Sequence, residues 1–232
     1  MRHPMLTSDQ KLWLAGQLHY EKWLATINAR NADQDYQKEF EVDQAIYSSF
    51  DISGKLLDIG GGDGRLRAFV DNSTYACCDP FVRVTGVNQE NQELIKVYPC
   101  INDRYNFVCA YAEHLPFASK SFDVVHMRSC IDHFLNPALA MNEAYRVLDT
   151  NGSIVIGMYV EGGKTGRQNL IKDFIRDALG SMGIERYKDY HVWHPSYAEL
   201  VDLIEESGFS ISKEVWQDGY SDTVVYLQCK KI

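Results

Sequence analysis

Leu56-Leu57-Asp58-Ile59-Gly60-Gly61-Gly62-Asp63-Gly64 is the stretch whose reading decides the fold. An apolar run interrupted by one acid, then by glycines at alternate positions, reads as a buried parallel strand that ends in a tight turn and feeds a helix beginning near Asp63. Glycine lets the backbone turn sharply there and lets a ligand approach the chain closely. A dinucleotide-binding turn spaces its glycines G-x-G-x-x-G, which from Gly60 and Gly62 would put the third at Arg65. The spacing here is G-x-G-x-G, which argues against a nicotinamide oxidoreductase.

Outward from this turn, alternating strand and helix patterns continue to the end of the chain. The apolar run Tyr75-Ala76-Cys77-Cys78 ends in Asp79-Pro80. Asp79 stands about twenty residues beyond Asp58, where nucleoside-binding βαβ units carry a ribose-binding acid. The alternative is a surface acid opening a turn before proline. Helices are expected over 89–96, from Pro137 through Leu148, over 168–179, and from Pro195 as first helical residue to Gly208. Further strands are expected over 106–110, around 121–127, over 153–159, near 210–215 and near 223–228. Ahead of the first strand, residues 8–50 show helical spacing in two segments. Trp13 and Trp23 there are candidate packing anchors. The expected organisation is one α/β domain over 1–232, with a helical cap (1–50) and a core (55–232).

Composition narrows the function. A chain of 232 residues with 45% hydrophobic content can bury a substantial core. A net charge of −9 argues against a nucleic-acid partner, which needs clustered Lys and Arg, and favours a small acceptor. The six cysteines form no C-x-x-C pair, and several lie in apolar runs, as in a reduced, cytoplasmic chain. No apolar stretch reaches membrane-spanning length. Gly163-Lys164-Thr165 invites a phosphate-loop reading, but the glycine required five residues earlier is Met158, so the segment reads as a glycine-rich loop.

Asp58-x-Gly60-x-Gly62-x-Gly64 resembles the first motif of class I S-adenosylmethionine (SAM) dependent methyltransferases. Two more segments carry the resemblance in the right order. Ala112-Glu113-His114-Leu115-Pro116-Phe117 with Ser121-Phe122-Asp123-Val124-Val125 is one; Glu143-Ala144-Tyr145-Arg146-Val147-Leu148 with Asn151-Gly152 is the other. The resemblance implies a Rossmann-like, seven-stranded, mostly parallel sheet with its last strand antiparallel. It implies SAM as methyl donor and S-adenosylhomocysteine as product. Gly60, Gly62 and Gly64 would wrap the methionine part, with Asp58 holding the turn and the amino group. Asp79 would take the ribose, and Ala112 and Glu113 the adenine. Tyr111 stands where the family usually has an acid. Arg128, at the end of the fourth strand, joins the cofactor edge.

The acceptor chemistry rests on histidines. Asp132 and His133 follow the fourth strand, at the carboxyl edge where ligands of open α/β sheets sit; His191 and His194 precede the last helix. His133 is the expected base for an attacking hydroxyl, because imidazole titrates near neutrality. Asp132 is its neighbour in sequence, though adjacent side chains can point apart. His191 or His194 could serve instead, or each histidine could be structural. Such segments resemble those of methyltransferases acting on sugars, glycan precursors or natural products, so O-methylation is expected. C- or N-methylation, or a SAM-binding protein without methyl transfer, is the alternative. No metal is expected: a hard cation would want carboxylates and amides, and zinc more often shows closely spaced cysteines.

Overall fold

The computed structural model describes residues 10, 11, 13–20, 35–70, 74–81, 91–166, 178, 179, 182, 191–217 and 223–232. Seven strands, β1 (Leu56–Ile59), β2 (Tyr75–Cys78), β3 (Asn106–Val108), β4 (Phe122–Arg128), β5 (Leu148–Tyr159), β6 (Phe209–Trp216) and β7 (Val224–Lys231), form one sheet in the order β3-β2-β1-β4-β5-β7-β6. β1 to β5 run parallel, and β7 is antiparallel to both of its neighbours. The seven strands, the mostly parallel sheet and the antiparallel last strand are those that the family resemblance implied. Because the chain leaves β1 toward β3 and returns on the other side at β4, the order reverses between β1 and β4. A crevice therefore opens beyond their carboxyl ends.

All four residues of β1 are buried, as in a parallel strand covered on both faces. Leu57 and Ile59 pack with Val125, Met127, Ile154 and Ile156 in the larger core, beneath α3 (Pro137–Val147) and α4 (Tyr197–Glu206). Leu56 packs on the opposite face with Tyr75, Val124 and Tyr226, under α1 (Tyr36–Tyr47). Asp58 shares that second face through the two-residue pleat. A short α2 (Gln92–Val97) packs against α1 through Leu94, Tyr98 and Tyr36.

Two local expectations are corrected. No α-helix starts near Asp63; the chain instead makes a 3-10 turn, Arg65–Ala68, entered from Gly64 at φ +72°. The buried Arg67 explains this, since its guanidinium donates to the carbonyls of Gly64, Cys100 and Asp103 and ties the turn to the Pro99–Asn102 segment. At α4, Pro195 precedes the helix rather than starting it. Ser196 caps α4 and Glu199 reaches back to the Ser196 N–H, a capping box that satisfies two orphan donors. The glycine-rich segment after β5 is a 3-10 turn, Gly163–Thr165, and Glu161 just before it bonds through its N–H to the Pro195 carbonyl at 2.8 Å. Residues 13–20 and 178–179 are helical, while the rest of the expected 168–179 helix and Trp23 lie outside the described residues.

The two further segments that carried the family resemblance meet in space. The Glu143 carboxylate accepts the Leu115 N–H at 2.8 Å, and Arg146 donates to the carbonyls of Leu115 at 2.9 Å and Phe117 at 2.7 Å. Glu143 and Arg146 pair with each other at 2.7 Å. One face of α3 thereby clamps the loop that follows β3, using charge-assisted bonds stronger than neutral ones.

Candidate active site

The glycine turn is held from all sides by its own chain. Gly60, at φ +67°, donates to the Cys78 carbonyl at 2.7 Å. A Cβ on Gly60 would stand 2.6 Å from the Cβ of Cys130, so glycine is what lets the loop after β4 close against the end of β1. The Gly62 carbonyl accepts from the Tyr105 hydroxyl at 2.7 Å. Gly64 does not line the crevice; it launches the 3-10 turn behind it.

Asp58 is 2% exposed, and both its oxygens are engaged: Oδ2 accepts from the Tyr75 hydroxyl at 2.6 Å and Oδ1 meets His126 Nδ1 at 2.7 Å. His126 stands opposite Asp58 in register on β4, and its Nε2 lies 3.1 Å from the Tyr47 hydroxyl. Asp58 thus fastens the strand end, in keeping with the turn-holding role. Beside it, a cavity of about 250 Å³ is lined by Tyr47, Asp58, the three glycines 60–62, Arg65 and Arg128, among others. Arg128 pairs with Asp43 at 2.7 Å, and Arg65 pairs with Asp63 at 3.2 Å and Glu39 at 3.7 Å. Guanidinium and carboxylate groups side by side around glycine backbone suit an α-amino acid zwitterion.

Asp79 sits past the end of β2, across Gly62 from that cavity. Its carboxylate accepts the N–H of Phe81 at 2.8 Å and that of Gly62. Burial pushes its pKa up from 3.8 to about 6, against those two bonds, which favour the ion. A buried carboxylate with acceptor capacity left over is ready for hydroxyl donors.

Further along the same edge, Ala112 is buried and Tyr111 is 39% exposed, with its ring 5.6 Å from that of Trp13. Glu113 is buried, and its Oε1 accepts the N–H of Asn136, the residue that caps α3, at 3.1 Å.

The acceptor-side residues converge. Asp132 and His133 form the 3-10 turn Ile131–His133 directly after Cys130. The Asp132 carbonyl accepts the N–H groups of Val192 at 2.7 Å and Trp193 at 3.2 Å, which draws His191 over the turn. His191 Nε2 lies 3.6 Å from Asp132 Oδ2, and the His133 and His191 rings are 4.5 Å apart. The carboxylate thus approaches His191, which is distant in sequence, as well as lying beside His133. His194 is one step out, 5.4 Å from His191, and Tyr20 stacks at 4.8 Å on His133. Trp13 donates to the His133 carbonyl at 2.9 Å, so the N-terminal helical residues border this site.

Sequence reading missed His126, Tyr47, Asp43 and Arg65. His126 carried a signal, a lone imidazole in an otherwise apolar strand, at the level of Asp58. Tyr47 and Asp43 carried none, because only the packing of α1 brings Tyr47 to the cavity and Asp43 to Arg128; Arg65 follows the glycine motif directly and reaches the cavity from the 3-10 turn that starts there.

Residues 57–156 match the methyltransferase domain family. The chain is 30% identical over 172 residues, 68% of its own length and 67% of the relative's, to the ubiquinone/menaquinone biosynthesis C-methyltransferase UbiE of Cereibacter sphaeroides. In fold it is similar to a SAM-dependent methyltransferase from Thermotoga maritima, with a TM-score of 0.63 at 18% identity over 92% of this chain and 98% of that one. It is also similar to the 1,6-didemethyltoxoflavin-N1-methyltransferase of Burkholderia thailandensis, which holds 1,6-didemethyltoxoflavin and S-adenosylhomocysteine; there the TM-score is 0.59 at 13% identity over 100% of this chain and 93% of that one. With the G-x-G-x-G turn, the seven-stranded sheet and these likenesses together, the chain belongs to the class I SAM-dependent methyltransferases and is an enzyme that takes its methyl group from SAM.

Proposed function

We propose that this enzyme methylates an oxygen of a small hydroxylated acceptor, such as a sugar, a glycan precursor or a natural product. The acceptor is held at Asp132, His133 and His191. The observation that carries this reading is the meeting of those three side chains immediately after Cys130, which abuts Gly60 of the cofactor turn. In the proposed complex, the cavity between Asp58, Arg65 and Arg128 takes the amino acid end of SAM. The Asp79 carboxylate accepts from the ribose hydroxyls, and the adenine lies by the Ala112 backbone with Tyr111 and Trp13 as its aromatic wall. Glu113 supports this wall through the α3 cap.

The sulfonium already activates the methyl carbon, so the protein's work is alignment, exclusion of water and removal of one proton. An imidazole beside a carboxylate is suited to that proton, and His191 Nε2 lies 3.6 Å from Asp132 Oδ2. His133 stacks between His191 and Tyr20 and borders the same acceptor. A second reading is favoured by the likeness to UbiE, named a C-methyltransferase: loss of the same hydroxyl proton from an aromatic acceptor would activate a ring carbon instead.

Turnover with methyl-labelled SAM and a panel of hydroxylated small molecules, with products read by NMR, tests both. Label on oxygen supports the first reading, and label on a ring carbon replaces it with the second. His191→Ala and His133→Ala are each expected to lower kcat by about 10²- to 10⁴-fold with S-adenosylhomocysteine affinity unchanged. A variant that keeps wild-type kcat removes that histidine from the acceptor chemistry.

A further inference from the structure

We infer that Asp132, His133 and His191 form a binding site for one first-row divalent cation of the zinc class, and that this cation seats the acceptor oxygen. The inference rests on the proposed hydroxylated acceptor and puts an ion that acidifies the hydroxyl in place of the imidazole base. Each of the three residues offers one ligand atom, and these atoms all lie within 4.8 Å of one another. Ligands bound tetrahedrally at about 2.0–2.2 Å are about 3.4 Å apart, so the three must close by roughly an ångström, which side-chain torsions supply.

Three further features suit an ion. The Oδ1 atom of Asp132 is buried with no hydrogen-bond partner among the described residues, a cost that a cation removes. The backbone around the site is already fixed, because the Asp132 carbonyl holds the N–H groups of Val192 and Trp193 and the His133 carbonyl holds the Trp13 indole. Finally, two imidazoles and one carboxylate leave positions open for an exogenous oxygen, as in catalytic rather than structural sites. This donor set selects zinc, cobalt, nickel, iron or manganese over magnesium or calcium, which prefer all-oxygen shells.

With the ion in place, the imidazoles are ligands and the acceptor hydroxyl binds the metal, which lowers its pKa toward neutrality. The hydroxyl proton leaves to solvent. An oxygen lone pair then forms the O–CH3 bond while the S–CH3 bond breaks, its electron pair returning to sulfur, so neutral S-adenosylhomocysteine departs. No other reactant is needed.

The test is metal binding itself. The full chain, stripped with chelator, is titrated with Co²⁺ and followed by its visible d–d absorption, with Zn²⁺ and Mg²⁺ as competitors. S-adenosylhomocysteine binding is measured in parallel by calorimetry. One Co²⁺ per chain, displaced by Zn²⁺ and not by Mg²⁺, is expected. Asp132→Ala and His191→Ala should each weaken it by at least about 100-fold, the upper end of what loss of a mere outer-shell partner costs. Unchanged S-adenosylhomocysteine affinity in the variants shows that they are folded. No Co²⁺ binding at 100-fold excess over protein, or binding that both variants retain, overturns the inference. Failure of the wild type to bind S-adenosylhomocysteine would count against the methyl-transfer reading alone, since the cobalt spectrum is read independently of it.

Discussion

Replacing Asp79 by Asn should make the protein more stable without cofactor and a weaker binder of the cofactor. The group's pKa is about 6 in the fold against 3.8 for the free side chain, a difference of about 2.2. At 1.36 kcal/mol per unit this makes the ionised carboxylate cost about 3 kcal/mol. The sign follows from proton counting. Between pH 3.8 and about 6 the folded chain holds a proton that the unfolded chain has released, so stability falls as pH rises through that window and is level above it. Asn keeps an oxygen for the N–H groups of Phe81 and Gly62 and carries no charge. At pH 8, Asp79→Asn is therefore expected to gain about 2–3 kcal/mol, a rise in Tm of roughly 5–10 °C for a chain of this size. At pH 4 the two proteins should melt together within about 1 kcal/mol.

Cofactor binding should move the other way. Hydrogen bonds to a charged group are worth about 1.5–3 kcal/mol each, and the ribose offers two donors. Losing the charge should weaken S-adenosylhomocysteine by about 2 kcal/mol or more, roughly 30-fold. Wild-type affinity should also fall about tenfold from pH 7 to pH 5, because ribose donors need the ionised form, while the Asn variant should show no such slope. Calorimetry at pH 5, 7 and 8, with thermal melts of the ligand-free proteins, reads both effects. An Asn variant that binds as tightly as wild type at pH 8, or that melts lower without ligand, would refute the reasoning.

Two other substitutions probe the frame around the cofactor edge. Gly60→Ala adds a methyl group 2.6 Å from the Cβ of Cys130 at a residue with φ +67°, and should cost about 2–4 kcal/mol by denaturant melts while abolishing measurable S-adenosylhomocysteine binding; a variant within 1 kcal/mol of wild type would contradict the close packing. Arg146→Ala removes two bonds to the carbonyls of Leu115 and Phe117 and the pairing that holds the Glu143 pKa down, and should cost about 1–3 kcal/mol with a several-fold weaker adenosine moiety contact, read as S-adenosylhomocysteine affinity against that of homocysteine. Equal loss for both ligands would place the effect on global stability instead.

Much of the frame was legible because local rules and tertiary packing agree there. The run from Leu56 to Gly64 carries its own turn chemistry, and Asp79 follows from the length of one βαβ step. The seven-stranded, mostly parallel sheet with its antiparallel last strand came with the family resemblance and agrees with the alternation of strand and helix patterns. The Arg65–Ala68 turn was not legible. Its composition is helical, and what stops a helix is a guanidinium bonded to carbonyls 33 and 36 residues downstream. The bond from the Asn136 N–H to Glu113 was not legible either, because it joins the segment after β3 to the start of α3 across 23 residues.

The polar chain behind the glycine turn has the same origin and a functional consequence. Tyr75, Asp58, His126 and Tyr47 link β2, β1, β4 and α1 across the sheet face, and Arg128 with Asp43 continues the link to α1 from the end of β4. Buried polar groups at this density are tolerated because each is paired, and a paired set fixes one arrangement where an apolar layer would accept several. The cavity beside Asp58 is bounded by this set, so the helix that precedes the sheet in sequence is locked to the turn that would carry the cofactor. The sulfonium carbon must meet the acceptor oxygen within a few tenths of an ångström, and a mislaid group of about 1 Å can cost about 10²-fold in rate. A rigid wall behind the proposed methionine end, set against the proposed acceptor cluster that begins next to Cys130, would meet that demand from both sides of one strand end.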